Sequence, residues 1–389
     1  MSLVFDARDA LAGGSGFHAL IVGVSAYRHL PPVGAPPLPQ TLSMTQLSSA
    51  AFSAYKIYKW LVQNRDYLSA PLATCRLLLA PTADELAREP NLRDGLPATL
   101  HAFLQAAREW RNDVCANTSQ IAFFYFAGHG VIRNRTDQIL LLEDFNDGYG
   151  SLLRNSTDVN SLLYGMAPSR QYPNIGRTQF YFIDACRNLP RQFTGFESLS
   201  PTPAFDVHLP DLPDNRIAPI FYAATVGSVA FAEPGVQTIF SQALLSCLQG
   251  AAAERDYQGR WRVTSSALER QLQWEVNALV QKHSVEMSLV VDGLGRDAVL
   301  CYLPHPPQAR LQLFLKPPSV HTHARVQIRD GEGTLLYDLP PPIPTPYEAL
   351  LAPGYYQFEL WRDASQLAPD KQAIRAIRYP LSVVELEAL

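Results

Sequence analysis

The sequence predicts an α/β domain, with a mainly parallel sheet flanked by helices, followed by a small antiparallel β-sandwich. Three observations carry that class. Between residues 18 and 303, strand-length apolar runs alternate with helical periodicities. The runs at 18–24, 75–80, 120–126, 179–184 and 219–224 are mostly near-continuous in apolar residues, as strands covered on both faces should be. Beyond about Pro304 the apolar period drops to two, the spacing of half-buried strands. A chain of 389 residues with 47% apolar content can bury one large core and a smaller second one. The expected division is a lead-in at 1–16, a main domain at 17–303 and a β-rich domain at 304–389.

Taken in order, the lead-in ends in Leu11-Ala12-Gly13-Gly14-Ser15-Gly16, which precedes a strand instead of opening a helix, so it is not a phosphate loop. After the strand at 18–24, the Pro-rich stretch 31–39 can continue neither a helix nor a central strand and reads as a surface loop. Ala50, Ala54, Ile57, Tyr58 and Leu61 then recur at helical spacing, as do Leu100, Phe103, Leu104, Ala107 and Trp110 after the strand at 75–80. Both are crossover helices by this reading. The strands at 179–184 and 219–224 are separated by some 30 residues, including a second Pro-rich stretch at 201–213. Structureless connections of that length are commonly functional, cleavable or disordered. Phe240, Ala243, Leu244, Cys247 and Leu248 mark one later helix. Leu268, Leu272, Val276, Leu279 and Val280 mark another, with Ser266 and Glu269 as its capping box. The period-two stretches are Leu311, Leu313 and Leu315; Val326 and Ile328; Tyr356, Phe358 and Leu360; and 383–386. His321 and His323 would share one strand face there but lack a third metal ligand.

Composition excludes several functions. The 32 basic and 36 acidic residues leave a net charge of −4, which argues against a nucleic-acid binder. Charged residues make up 17%, too few for a disordered or polyelectrolyte chain. The longest apolar runs, 121–127 and 139–142, fall far short of the ~20 residues that span a bilayer. The N-terminus lacks the basic and apolar regions of a secretory signal, so a cytoplasmic chain without a membrane partner is expected. Five scattered cysteines without a CxxC pair indicate neither a disulfide framework nor a zinc site. No metal or cofactor is expected. Cys75, Cys247 and Cys301 fall on strand-like or core-facing positions and read as small buried hydrophobes.

Chemistry concentrates in two segments, IAFFYFAGHG and TQFYFIDACRN. Each is a buried-strand pattern followed at once by small and polar residues. That places His129 and Cys186 at the carboxyl ends of neighbouring parallel strands, the edge where open α/β sheets hold ligands. A thiolate is a strong nucleophile, and an imidazole within reach can take its proton. Glycines on both sides of His129 let a substrate approach the backbone and leave the Gly130 N–H available to an oxyanion. Taken singly, each could be a core histidine in a glycine turn or an inert thiol; taken together on matched strand ends they point to catalysis. Alternation puts Asp184 on the same side of its strand as Cys186. A carboxylate touching the thiolate would oppose its ionisation, so its useful place is facing a substrate side chain; otherwise it caps local backbone.

The pair FYFAGHG and FYFIDACRN resembles the clan of caspase-like cysteine peptidases, in particular the bacterial homologues related to metacaspases, called orthocaspases. The resemblance runs from about Phe17 to Leu248. FHALIVGVSAY is similar to the first strand and turn, ILLLED to the segment after the histidine loop, and FYAAT and IFSQALLSCL to the last strand and helix. It implies the caspase-hemoglobinase fold and peptide hydrolysis through an acyl-enzyme. By it, His129 is base and general acid, Cys186 the nucleophile, and the N–H groups of Gly130 and Cys186 the oxyanion hole. Asp184 would line the S1 pocket and select Arg or Lys at P1. Members with basic specificity often carry a second acid in the first helix, where this chain reads SSAAFSAYKIYKWL with Ser53 before Ala54. The pocket then holds one carboxylate or borrows another, such as Asp144.

Control is expected at two places: the connection at 189–217, with Arg187, Arg191 and Arg216 as candidate self-cleavage sites, and the β-rich C-terminal domain. The resemblance implies a regulated effector of bacterial stress, cell death or antiphage defence, acting on protein or peptide substrates and switched on by a small nucleotide or a protein activator. The alternative is a non-proteolytic module on the same fold that binds a signal or partner. A third reading, a thiol hydrolase of small molecules, uses the same dyad.

Overall fold

The structure is a computed structural model that describes residues 2–36, 38–133, 137–148, 151–187, 189–191, 193, 199–207, 212–224, 236–285, 287–379 and 381–387. Strands β1 (Leu3–Asp6), β2 (Phe17–Val24), β3 (Leu72–Ala80) and β4 (Ile121–Gly128) are followed by the short β5 (Gly130–Ile132), β6 (Gln138–Leu141) and β7 (Ser156–Asp158). Then come β8 (Thr178–Ala185), β9 (Ile220–Ala224), β10 (Ala253–Arg255), β11 (Trp261–Thr264), β12 (Ser288–Asp292) and β13 (Val299–Tyr302). Helices α1 (Ala50–Gln63), α2 (Ala83–Arg88), α3 (Leu100–Val114), α4 (Val159–Gly165), α5 (Ile239–Ser246) and α6 (Ser265–His283) lie between them.

Seven strands form the principal sheet in the order β1-β3-β2-β4-β8-β9-β12. The five inner strands are parallel, as their unbroken apolar runs require. Both edges are antiparallel, β1 on β3 and β12 on β9, so the sheet is mixed, and the sequence signal missed these two short strands. Aromatic side chains knit its faces. On one face Phe17, Phe123, Phe182 and Phe221 run across four strands at centroid distances of 5.7, 5.2 and 5.1 Å. On the other, Trp110 of α3 meets Phe124 at 6.1 Å and Tyr181 at 6.5 Å and donates its indole N–H to the His18 carbonyl at 2.9 Å. Helix α1 lies so close to β2 that a Cβ on Gly23 would come within 2.6 Å of the Ala54 methyl. The polar Arg76 inside β3 is buried because its guanidinium pairs with Asp113 and, at 3.2 Å, with Glu109.

Helix α6 begins earlier than expected. Its N-cap is Thr264, whose hydroxyl accepts from the Ala267 N–H at 3.2 Å, while the Ser266 N–H is taken by the Asp297 carboxylate at 2.9 Å. The Ser266/Glu269 box is corrected accordingly: a Thr and an external Asp satisfy the orphan donors in its place. The 189–217 connection is less bare than its composition indicates, since the Thr202 N–H bonds the Ser156 carbonyl beside β7 at 3.0 Å. Residues 192, 194–198 and 208–211 of that connection lie outside the described residues.

The chain divides into two compact units, Met1–Leu245 with Thr264–Tyr302, and Ser246–Val263 with Leu303–Leu389. The second unit packs β14 (Ala309–Lys316), β17 (Tyr347–Leu351) and β20 (Leu381–Glu387) against β15 (Arg325–Arg329), β16 (Leu335–Leu339), β18 (Gly354–Trp361) and β19 (Lys371–Ile377). Leu311, Leu313, Val326, Ile328, Phe358, Leu360, Val384 and Leu386 fill its core, so the period-two residues point inward. One pair, β14 with β20, is parallel, a departure from the all-antiparallel expectation. His321 lies in a 3-10 turn at Pro318–Thr322 that His323 ends, so they do not share a strand face. Within this unit a β10–β11 hairpin precedes the sandwich, and the Leu303 N–H bonds the Trp261 carbonyl at 2.9 Å. No described helix is long and apolar enough to cross a membrane.

Candidate active site

Strands β4 and β8 run side by side in parallel, with Ala127 opposite Asp184 and Gly128 opposite Ala185. The next residues, His129 and Cys186, therefore leave the sheet together at its carboxyl edge, on strands about 5 Å apart. They are 6% and 7% exposed, reachable but largely dry. The close approach explains the second glycine: a Cβ on Gly130 would come within 2.7 Å of the Cys186 carbonyl and 2.9 Å of the Ala185 methyl. The Leu141 N–H donates to the His129 carbonyl at 3.1 Å, which makes Gly130 and Leu140 a non-hydrogen-bonded pair of the β5–β6 ladder. The Gly130 N–H thus points away from β6. Gln138 of β6 donates its Nε2 to the Cys186 carbonyl at 3.1 Å and pins the strand end that carries the thiol.

The imidazole of His129 is oriented from outside the two motifs. Its Nε2 lies 2.7 Å from the backbone carbonyl of Thr45. A carbonyl only accepts, so Nε2 carries the proton and Nδ1 keeps its lone pair. Burial lowers the pKa of His129 to about 4, against the smaller opposing pull of that carbonyl, so the ring is neutral near pH 7. Its backbone N–H donates to the Tyr27 hydroxyl at 2.7 Å, and the two rings pack at 5.0 Å. Burial pushes the Tyr27 phenol far above its usual range, against the smaller pull of the His129 N–H, and the charge of a Cys186 thiolate adds to the rise.

Asp184 sits on the same side of β8 as Cys186 and is 4% exposed. The Tyr125 hydroxyl (2.9 Å) and the Thr238 hydroxyl both donate to its Oδ2, and Oδ1 takes neither bond. Burial raises its pKa to about 6 despite those two donors. Thr238 in turn donates its N–H to the Ser53 hydroxyl at 2.9 Å, so Ser53 joins the Asp184 network through one residue. Asp144 is used elsewhere: its carboxylate accepts the Leu100 N–H at 2.9 Å, at the start of α3.

Of the three arginines, Arg187 lays its guanidinium over the Tyr222 ring at 4.7 Å, and Arg191 is exposed. Arg216 is set apart, with a side chain 7% exposed that bonds Asp214 at 2.7 Å, the Leu163 carbonyl at 2.8 Å and Gln179 at 3.1 Å. In this conformation it is not presented for cleavage. Among the described residues, no group of three His, Cys, Asp or Glu could hold a metal ion.

Sequence reading missed Thr45, Gln138, Tyr125 and Thr238. Thr45 contributes a backbone oxygen, which no residue type announces. Tyr27 lies in FHALIVGVSAY, a segment whose pattern marks only strand and turn.

Two comparisons bear on this geometry. A probable protease of a Desulfuromonadales bacterium is 26% identical over 317 residues, which cover 76% of this chain. The chain spans only 36% of that protein's length. The family model of the peptidase C14 caspase domain matches residues 17–286, which hold every strand of the principal sheet except the two edge strands β1 and β12. With more than half of its length matched, the chain belongs to the caspase-domain family of peptidases.

Proposed function

We propose that the protein is a cysteine endopeptidase with His129 and Cys186 as its dyad, cleaving after Arg or Lys. One observation carries the reading: the two residues emerge together from adjacent parallel strands, with the imidazole already held by a carbonyl that leaves its Nδ1 unprotonated. In the reaction, Nδ1 takes the thiol proton as Cys186 Sγ bonds to the scissile carbonyl carbon. The oxyanion faces the N–H groups of Gly130 and Cys186. When the C–N bond breaks, Nδ1 returns that proton to the leaving amine, and a water deprotonated by the same nitrogen then hydrolyses the thioester. Asp184 supports the basic P1 preference: its Oδ1 takes neither of the two internal bonds, and above pH about 6 its carboxyl is ionised. Regulated action in bacterial stress, cell death or antiphage defence, released by a nucleotide or protein signal, follows from the family resemblance.

The test is hydrolysis of fluorogenic peptides that differ only at P1 (Arg, Lys, Asp or Leu) by wild type and Cys186→Ala, with and without lysate of the source cell. Cleavage after Arg or Lys that is lost in Cys186→Ala is the expected result. Cleavage after Asp overturns the role of Asp184. Silence on every peptide, with Cys186 still labelled by iodoacetamide, overturns the peptidase reading in favour of a binding module or a small-molecule hydrolase.

A further inference from the structure

The contacts around His129 close into a ring. The imidazole donates to the Thr45 carbonyl. The neighbouring Gln46 grips Tyr27 from both sides: its Oε1 accepts the Tyr27 N–H at 2.6 Å and its Nε2 donates to the Tyr27 carbonyl at 2.6 Å, and also to Leu30 O at 3.0 Å. Tyr27 then returns to His129, its hydroxyl accepting the His129 N–H at 2.7 Å and lying 3.4 Å from the Leu141 carbonyl. That hydroxyl stands where a direct bond from the His129 N–H to the Leu141 carbonyl would otherwise complete the ladder. Gln46 is itself tethered, its N–H bonding the Pro31 carbonyl at 2.8 Å, with the next residue, Leu47, bonding Ser25 at 2.9 Å.

Building on the dyad reading, we propose that Tyr27 and Gln46 are positioning residues that hold His129 in one orientation and one tautomer, Gln46 by fixing Thr45 against Nε2 and Tyr27 by fixing the backbone beneath the ring. A side-chain amide paired to both backbone groups of one residue imitates a strand partner, and it leaves the chain after Gln46 little freedom. The ring joins three points far apart in sequence, so neither catalytic motif contains the information that orients its own base. Losing either link frees the imidazole to rotate or to move its proton to Nδ1, where it cannot accept from a thiol.

The experiment uses full-length protein with ¹⁵N-labelled histidine, as wild type, Gln46→Ala, Gln46→Glu, Tyr27→Phe and, for assignment, His129→Gln. The wild-type signal of His129 should report a protonated Nε2 and a bare Nδ1. Gln46→Ala and Tyr27→Phe should mix the two tautomers and lower kcat on an Arg-P1 peptide by about 10- to 100-fold with KM nearly unchanged. They should also move the pH midpoint of Cys186 alkylation upward. Gln46→Glu keeps the acceptor for the Tyr27 N–H but loses the donor, and should fall between. An unchanged tautomer and unchanged kcat in both variants overturns the proposal while leaving the peptidase reading intact. A kcat loss that only follows a lower Tm, with the wild-type tautomer retained, also overturns it. Mixed tautomers in the variants, with no hydrolysis even by wild type, would remove the peptidase reading and keep the positioning ring.

Discussion

At the residue scale, two buried groups at the site titrate in opposite directions across one pH window. Asp184 has a folded pKa of about 6, above the ordinary 3.8, so its contribution to stability is fully present below pH 3.8 and is lost as pH rises through about 6. His129 has a folded pKa of about 4, below the ordinary 6.5, so its contribution is gained as pH rises from about 4 and is complete above 6.5. Each swing is on the order of 3 kcal/mol, and the two have opposite signs. Urea titrations between pH 4 and 7 should therefore show Asp184→Asn gaining stability with pH relative to wild type, and His129→Gln losing it. Activity should expose Asp184 alone. The kcat/KM for an Arg-P1 peptide should fall below pH about 6, mostly through KM, whereas Asp184→Asn should be weaker by about 10- to 100-fold and lack that limb. A pH profile on matched Arg and norleucine peptides reads this directly, since only the charged side chain needs the carboxylate.

At the scale of the element, strand ends and helix caps decide what works. Gly130→Ala forces a methyl into the gap between β5 and the Cys186 carbonyl, so its Tm should drop and its kcat should be largely lost, at a cost of about 1–3 kcal/mol. Thermal melts and peptide assays of that variant check both. For α6, Thr264→Ala should cost about 1 kcal/mol, measured by urea unfolding, and Ser266→Ala clearly less, because the hydroxyl at 264 does the capping. The inner strands and α1 and α3 were legible because burial on two faces, or on one helical stripe, leaves a periodic record in residue types. The placement of His129 and Cys186 at the ends of adjacent strands was legible for the related reason that each follows such a record at once. Edge strands β1 and β12 were not, since half-exposed strands of four or five residues carry too few apolar positions. Thr45 could not be found by any pattern of side chains.

At the scale of the molecule, the break near residue 303 was visible in the change of apolar period, but the partnership of Ser246–Val263 with the C-terminal sandwich was not. A β-hairpin between two helices looks local, and nothing in its residue types announces the bond from the Leu303 N–H to its Trp261 carbonyl. Truncation after Tyr302 should therefore strip the hairpin of its unit and give a protein with a lower Tm and stronger binding of a hydrophobic dye than full-length chain. Calorimetry and dye fluorescence on the truncated form measure both.

The interleaving of the two units along the chain has a bearing on how the second one can be exchanged. The polypeptide passes from one unit to the other at 245, returns at 263 and leaves again at 302, so the second unit is encoded in two separate stretches of the gene. A single recombination event at either end cannot exchange it for another module without leaving an orphaned hairpin behind.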